Sequence, residues 1–343
     1  MVFDSIVMIR QTESFESIVD RSYADQNYNV FYSEGVLHNT VKDGDCITFL
    51  YSDKYLVPVT ICKRGFFKYA YFIVEPVVIK DGDESLRVFL DEACLFLRKQ
   101  LKIQWINPNS TASLFMDFPT NSKHIPFGSH IIDLSLSEDE LWDNVHSKHR
   151  NVIKKSEKDG VKIVSGVTDK LIEDYHAIDR ETWKRSNQDA VSLDTLKKQV
   201  KGLGNNAIIY MAYLDGEPQS GAFFWYNMQM CYYMYGANCD KPHTGAGNLL
   251  QWQAIRDMKA KGVKKYSFVG CRINEDENSK YHGIQRFKER FGGELVQGYL
   301  FKIDYNKFMA LFFKLSVAIK SLLSSGRFIW PRDIVDQEIS KWR

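Results

Sequence analysis

Residues 207–226 read AIIYMAYLDGEPQSGAFFWY, two β-rich runs on either side of an Asp-Gly pair. An Asp-Gly pair between apolar runs is a strong signal for a β-hairpin. A third strand-like run covers 230–235, and residues 248–261 then carry apolar side chains at helical spacing. The run 264–269 has the composition of another strand. Hairpin, strand, helix and strand in this order predict an α/β unit.

The same order occurs earlier in the chain. Residues 46–62 form two β-rich runs around a Ser-Asp-Lys turn, and 69–79 is a further strand-like run. Residues 86–97 carry a helical apolar pattern, and 103–107 closes the set as a strand. The identities do not repeat, so this is a shared architecture and not a sequence repeat. The sequence predicts an α/β protein with two domains of mixed sheets flanked by helices.

The domain boundaries are predicted from prolines and glycines that indicate loops and from a helix-capping signal. Pro119, Pro126 and Gly128 indicate a linker near 120–133. A capping box, Ser137 with Glu140, then starts a helix. We therefore expect an N-terminal domain over 1–132, a C-terminal domain over 133–303 and a helical segment over 304–343.

Composition excludes several classes of protein. The formal net charge is +2, whereas nucleic-acid-binding proteins usually have a larger basic excess, so any such contact must be local. The six cysteines form no C-x-x-C pair, and no metal site is predicted. There is no apolar run of ~18 uncharged residues and no basic n-region at the start. The expected location is the cytoplasm.

The segment 281–293, YHGIQRFKERFGG, is the richest in chemistry. Ile284, Phe287 and Phe291 form an apolar stripe, and Lys288 lies one position from it. A cation there can stabilise the oxyanion that forms when an amine attacks an ester or thioester carbonyl. The basic residues of this segment equally fit an ordinary solvated helix face.

Two further features fit the same chemistry. His282 is a candidate general base by residue type, although a lone histidine is more often structural. Gly245 and Gly247 directly precede a helix predicted to start near Asn248, where backbone N–H groups can face an anion. A plain loop at a helix start explains these glycines equally well.

Together these segments resemble the FemABX family of aminoacyl transferases, within the GNAT-like acyltransferase superfamily. The order and spacing agree from residue 235 to residue 298, with weaker similarity at 142–164 and 181–185. The matching residues are Tyr235-Gly236-Ala237, Asn248-Leu249-Leu250-Gln251-Trp252, Ile255, Gly262, Tyr266-Ser267-Phe268, Gly270, Gly283-Ile284, Phe287-Lys288, Phe291-Gly292-Gly293 and Gly298.

The resemblance implies two GNAT-like domains in tandem, an aminoacyl-tRNA donor and no cofactor. It implies an acceptor amine on a muropeptide or another nucleotide- or lipid-linked glycan precursor. By motif position, Lys288 matches the family's lysine that stabilises the transition state or the tRNA end, and Phe287 adjoins it in the substrate site. Arg185 and Tyr235 match positions that contact the acceptor diphosphate. We expect both to face one cleft together with Lys288.

Three functions remain open at this stage. An aminoacyl transferase is favoured by a basic helix face of His146, Arg150 and Lys154, which can touch a phosphate backbone. An acyl-CoA N-acyltransferase of capsule, exopolysaccharide or lipopolysaccharide synthesis is favoured by Gly245 and Gly247, because GNAT enzymes hold the coenzyme A pyrophosphate at such a loop. A non-catalytic binding protein on the same scaffold is the third.

The C-terminal segment predicts a basic amphipathic helix over 307–325. Its apolar arc is formed by Phe308, Leu311, Phe312, Leu315, Ile319, Leu322 and Leu323. Such a helix can lie in an anionic membrane surface, which would place the protein peripherally at the inner membrane. The alternative is that the helix docks across the domains and buries both faces.

Overall fold

The structure is a computed structural model that describes residues 7–39, 41, 44–185, 189–273 and 279–341. The first six residues, part of the segment that argues against a signal peptide, lie outside the described residues. The strands are β1 (Arg10–Thr12), β2 (Cys46–Tyr51), β3 (Tyr55–Arg64), β4 (Phe67–Phe72), β5 (Val77–Val78), β6 (Trp105–Ile106), β7 (Lys123–Asp133), β8 (Lys162–Gly166), β9 (Ala207–Leu214), β10 (Glu217–Tyr226), β11 (Met230–Asn238), β12 (Lys265–Ser267), β13 (Cys271–Arg272) and β14 (Glu294–Asp304). The helices are α1 (Arg21–Asn27), α2 (Glu34–Asn39), α3 (Leu86–Lys99), α4 (Glu138–Asn144), α5 (Ser147–Lys158), α6 (Asp169–Arg185), α7 (Leu193–Leu203), α8 (Ala246–Ala260), α9 (Lys280–Glu289), α10 (Lys307–Ser325) and α11 (Ile334–Lys341).

The chain divides into two compact units, and their bounds differ from those expected from the sequence. Unit 1 contains residues 1–21, 40–127 and 297–343, and unit 2 contains 22–39 and 128–296. The C-terminal segment therefore belongs to unit 1. The reason is β14. Its residues Ile303 and Asp304 pair with β6, so the chain rejoins the sheet of unit 1 before α10 begins.

Unit 1 has the strand order β1-β2-β3-β4-β6-β14, with β5 on β3. β4 and β6 are parallel, whereas β1, β2, β3 and β14 pair antiparallel with their neighbours. Helix α3 starts at the cap of Ser85 and buries Phe89, Leu90, Ala93 and Leu97 against this sheet. The predicted helix and hairpin are confirmed here.

Unit 2 has the strand order β7-β12-β11-β10-β9-β8, in which β11 and β12 are parallel. The Asp215–Gly216 pair forms the predicted hairpin turn with φ of 52° and 85°. Helices α4, α5 and α8 cover one sheet face through a core that includes Leu141, Ile153 and Leu249. Helix α6 contacts β9, β10 and β11. The outcome is a mixed α/β fold.

The predicted linker at 120–133 is wrong. Residues Lys123–Asp133 form the 11-residue strand β7, and Pro126 and Gly128 lie inside it. A Cβ at Gly128 would come within 3.0 Å of the Val296 carbonyl oxygen. The glycine therefore permits a close approach of two backbones and does not mark a loop.

The capping box of Ser137 and Glu140 is confirmed at the start of α4. Helix α10 also forms where it is predicted, from Lys307 to Ser325. Its apolar arc is exposed, with Phe308 at 86% and Leu323 at 81%. The alternative in which the helix buries both faces is therefore wrong. Within the described part of the chain, no helix combines the length and the apolar character needed to cross a bilayer.

Candidate active site

The parallel strands β11 and β12 separate at their carboxyl ends. They are paired only as far as Tyr232 and Ser267, although β11 continues to Asn238. The next residue after β12, Phe268, instead donates its N–H to the His130 carbonyl at 3.0 Å. We call the space between the two strand ends the strand-end opening. Ligands of α/β sheets commonly bind at the carboxyl ends of strands.

Lys288, from α9, lies on the β12 side of this opening. Its Nζ donates to the carbonyls of Val269 and Gly270, the latter at 2.8 Å. Lys288 is 8% exposed, whereas its neighbour Arg286 is exposed. The interpretation of Lys288 as part of a solvated helix face is therefore wrong.

The carbonyls that receive Lys288 belong to an unusual turn. Val269 and Gly270 have φ of 38° and 45°. A positive φ is costly for a β-branched residue, on the order of 1–3 kcal/mol. The Val269 N–H is held by the Ser267 hydroxyl at 3.2 Å. Strain of this kind is concentrated at functional sites, which favours this turn as part of one.

Burial lowers the pKa of Lys288 to about 8 from its ordinary value of 10.5, and the nearby Cys271 acts in the opposite direction. No carboxylate accepts from its Nζ in the described structure, where both acceptors are backbone carbonyls. An ammonium group has three N–H donors. Two are used by the turn, and the third is available for a developing oxyanion or a phosphate.

A β-bulge in β11 divides its tyrosines between the two sheet faces. Phe224 pairs with Tyr233 and Phe223 pairs with Tyr235, so Met234 is the extra residue. The Tyr235 ring lies 6.2 Å from Phe223, on the α6 face. The Tyr233 ring lies 5.5 Å from Phe224, on the α8 face. Bulges often redirect side chains next to active sites.

Arg185 ties the end of α6 to the end of β11. Its guanidinium donates to the carbonyls of Asn238 at 2.9 Å and Cys239 at 3.3 Å, and to the Thr182 hydroxyl at 3.1 Å. Tyr235 lies in the same strand, a few residues before Asn238. Arg185 and Tyr235 are therefore both at the carboxyl end of β11.

Asp179 is a residue that sequence reasoning missed. It lies on α6 and is 6% exposed. Burial raises its pKa, with a hydrogen bond from Trp183 acting against this. Burial and the Asp179 carboxylate also raise the pKa of Tyr235. A signal existed, because Ile172, Tyr175 and Asp179 follow the i, i+3, i+7 spacing of a buried helix face.

The predicted acceptor residues and Lys288 are not on one sheet face. Tyr235 and Arg185 are on the α6 side. Helix α9 is on the other side, where Phe291 stacks on Phe268 at 5.3 Å within the α8-side core. A ligand that touches both sets must pass between the ends of β11 and β12.

The two glycines at the start of α8 have packing explanations. Gly245 has φ of 90°, and a Cβ there would overlap the Val152 carbonyl of α5. A Cβ on Gly247 would lie 3.2 Å from the Ser220 hydroxyl. Both glycines thus allow α8 to pack closely against its neighbours, independently of any anion.

His282 and Phe287 lie on α9 in different settings. The His282 N–H donates to the capping hydroxyl of Ser279 at 3.0 Å. His282 precedes Lys288 by six residues, which in an α-helix is about 120° of rotation and about 9 Å of rise. The Phe287 ring packs 5.3 Å from His149. Phe287 is thus a packing residue, and its role in a substrate site stays a prediction.

The basic face of α5 is largely engaged with α4. His146 caps the start of α5. Arg150 donates to the Trp142 carbonyl and the Asp143 carboxylate, each at 3.3 Å. The Lys154 ammonium lies 5.7 Å from the Trp142 ring. These local contacts account for Arg150 and Lys154 without a nucleic acid.

Residues 144–289 match the sequence profile described as "Acetyltransferase (GNAT) domain". This region is therefore similar to a GNAT-type acetyltransferase domain. It contains β11, α8, β12 and α9, and hence the strand-end opening and Lys288. Comparison with curated proteins by sequence gives no match.

Solved structures agree on the fold. The crystal structure of FemX is similar with a TM-score of 0.65 at 12% identity, over 88% of this chain and 99% of that one. The C-terminal domain of a putative lysylphosphatidylglycerol synthetase from Agrobacterium fabrum gives 0.53 at 14% identity, over 89% and 96%. A tandem GNAT protein from the clavulanic acid biosynthesis pathway gives 0.51 at 10% identity, over 86% and 98%. The predicted tandem GNAT-like fold is confirmed.

Proposed function

We propose that the GNAT-type domain transfers an aminoacyl group from aminoacyl-tRNA to an amine of a cell-envelope precursor, such as a muropeptide or a nucleotide- or lipid-linked sugar. The observation that carries this proposal is Lys288. It is a buried amine whose acceptors, among the residues that the structure describes, are the Val269 and Gly270 carbonyls at the strand-end opening.

The reaction needs little beyond positioning and charge stabilisation, because an aminoacyl ester is already activated. The acceptor nitrogen attacks the ester carbonyl, and a C–N bond forms as the C–O bond to the tRNA ribose breaks. The ribose oxygen leaves with the proton that the amine loses, directly or through water. Lys288 stabilises the oxyanion of the intermediate through its remaining N–H.

The positions of Arg185 and Tyr235 support an acceptor that enters from the α6 face. Arg185 is bonded to the Asn238 and Cys239 carbonyls at the end of the strand that carries Tyr235, and a guanidinium group binds a diphosphate well. The donor would then approach from the α9 side, so that the two substrates meet at the strand-end opening. The fold shared with FemX is compatible with this arrangement.

An acyl-CoA-dependent N-acyltransferase is the second candidate. The observation in its favour is α8, which starts directly after the Gly245 turn and follows β11 in a domain that matches an acetyltransferase profile. Coenzyme A pyrophosphate binds helix N-termini of this kind. The close packing of Gly245 on Val152 and of Gly247 on Ser220 weakens this argument, because it explains both glycines.

Donor consumption separates the candidates. The full chain is incubated with a mixed pool of charged tRNA or with acetyl-CoA, each with a muropeptide precursor as acceptor, and loss of the donor is followed. We expect loss of charged tRNA above the rate of the Lys288→Met variant. Consumption of acetyl-CoA alone would establish the second candidate. Consumption of neither, with binding of the precursor retained, would identify a binding protein.

A further inference from the structure

Helix α10 and the residues that follow it present a large apolar surface to solvent. The side chains of this outer surface, all more than a third exposed, are Phe308, Leu311, Phe312, Leu315, Ile319, Leu322, Leu323, Phe328, Ile329 and Trp330. Exposed apolar patches of this extent are rare on proteins without a partner for them.

The inner face of α10 does not need this outer surface for packing. Ala310 and Phe313 pack with Phe67 and Trp105, and Ala318 is completely buried. The helix therefore carries apolar side chains on its outer face as well as on its inner face, whereas a surface helix with one covered face normally has a polar outer side. The inner cover is unit 1, and the outer cover is not part of the described chain.

The charged residues of α10 and of the segment that follows it are of one sign. From residue 305 to residue 332 the chain has five basic residues, Lys307, Lys314, Lys320, Arg327 and Arg332, and no aspartate or glutamate. Lys314 is paired with Asp336 at 2.8 Å, so the basic character of this surface rests on the other cations. The whole chain has a net charge of only +2, so this basic excess is local. Apolar residues flanked by cations are complementary to a surface that is both apolar and anionic.

We propose that α10 and residues 326–330 lie in the surface of a bilayer that contains anionic lipid. The apolar side chains would enter the acyl region while Lys307, Lys320 and Arg327 remain at the headgroups. Trp330 has the amphipathic ring that is enriched at membrane interfaces. A second copy of this chain is a poorer occupant, because it would oppose basic residues with basic residues. This proposal is independent of the proposed acyl transfer.

Vesicle binding of the full chain tests the proposal. We expect co-sedimentation with vesicles of phosphatidylcholine and phosphatidylglycerol at 7:3 and much weaker binding to phosphatidylcholine alone. The double variant Phe308→Glu, Leu323→Glu should bind at least tenfold more weakly. Both residues are highly exposed, so thermal unfolding should not change. Met116→Glu is the matched control, since Met116 is 59% exposed on unit 1 outside α10, and its binding should equal that of the parent.

A second variant tests the contribution of the basic residues to vesicle binding. Lys307→Gln, Lys320→Gln, Arg327→Gln should weaken binding to the anionic vesicles, by roughly fivefold for each cation, and reduce its salt dependence. The proposal is overturned if the parent does not bind anionic vesicles, or if the two glutamates leave its binding unchanged. It is also overturned if sedimentation velocity finds a dimer that the glutamates dissociate while vesicle binding is absent. In that case the outer surface joins two copies.

Discussion

Two lysines are buried in the described part of the molecule, and their partners are of opposite kinds. Lys302, in β14 of unit 1, is 3% exposed and donates to the carboxylates of Asp333 at 2.7 Å and Asp336 at 2.6 Å. Lys288, in unit 2, is 8% exposed and donates to two backbone carbonyls. Burial alone would lower the pKa of Lys302, but the two carboxylates raise it. Burial lowers the pKa of Lys288 to about 8.

The difference separates a structural charge from a charge held for a ligand. Lys302 is neutralised within the protein and fixes the start of α11 to the sheet. Lys288 has no carboxylate at its Nζ among the described residues, so its positive charge is available to a group that arrives from outside. A buried cation of this type is expensive to keep, which is why it points to function.

The two units also differ at the carboxyl ends of their parallel strand pairs, β4 with β6 in unit 1 and β11 with β12 in unit 2. In unit 1 the chain after β6 stays bonded to β4 and its extension, with Asn107 N–H donating to Ala70 at 2.9 Å and Ser110 N–H to Phe72 at 3.1 Å. In unit 2 the chain leaves β11 after Ser267. The same architecture is thus closed in one unit and open in the other, and chemistry is expected only where it is open.

The largest effect is expected from Lys288→Met. Without the positioned cation, donor consumption should fall by about 10²–10³-fold, the range for loss of one oxyanion donor. Lys302→Met is the matched control, because it removes the other buried lysine and should leave the rate per folded molecule unchanged. Equal losses in the two variants would mean that Lys288 acts only on stability.

The pH dependence of stability should also distinguish the lysines. The folded pKa of Lys288 is about 8 and its ordinary value is 10.5, so the unfolded chain binds more protons between these values. The penalty for burying its charge is complete below pH 8 and is relieved as the pH rises toward 10.5. The parent should therefore gain up to about 3 kcal/mol in unfolding free energy relative to Lys288→Met across this range.

Lys302 gives the opposite expectation. Its folded pKa is raised, so its stabilisation is complete below 10.5 and is lost only above that value. The difference between the parent and Lys302→Met should stay flat from pH 7 to about 10. Denaturant titrations of the three proteins across this range decide the matter. A flat difference for Lys288→Met would contradict its assignment as an unpaired buried charge.

The local rules of the sequence predicted much of the fold. Asp215–Gly216 specified a hairpin and Ser137 with Glu140 a helix start, because each depends on neighbouring residues alone. The same rules failed at Pro126 and Gly128, which lie inside β7. There the deciding contact is with Val296, far away in the chain. Proline and glycine are therefore unreliable signals of a loop where a tertiary contact requires them within a strand.

The candidate site was predicted only in part, for a similar reason. The spacing of α9 placed Lys288 beside an apolar stripe, but its burial comes from the turn at Val269 and Gly270, which no helical pattern encodes. The bulge at Met234 sends Tyr233 and Tyr235 to opposite faces, so strand alternation predicts the wrong relation between them. Asp179 could have been identified from the sequence, because its spacing places a carboxylate on an apolar helix face.

A smaller effect is expected on the stability of Lys302→Met. Removing the ammonium leaves Asp333 and Asp336 facing each other without it, but Lys314 still lies 2.8 Å from Asp336. Loss of one partner of a fully buried pair costs about 3–5 kcal/mol. Because both carboxylates are partly exposed, we expect about 2–3 kcal/mol in denaturant unfolding. A loss below that of Lys288→Met at pH 7 would contradict the contrast between the two lysines.

The smallest effect concerns the turn that receives Lys288. At most positions alanine is more stable than glycine, because glycine loses more entropy on folding. At Val269, with φ of 38°, the order should reverse, and Val269→Gly should be more stable than Val269→Ala by about 1 kcal/mol. Val296, half-buried in β14, is the control position, where alanine should remain the more stable. If alanine is the better residue at both positions, the turn is unstrained, and the two carbonyls are held toward Lys288 by ordinary backbone geometry.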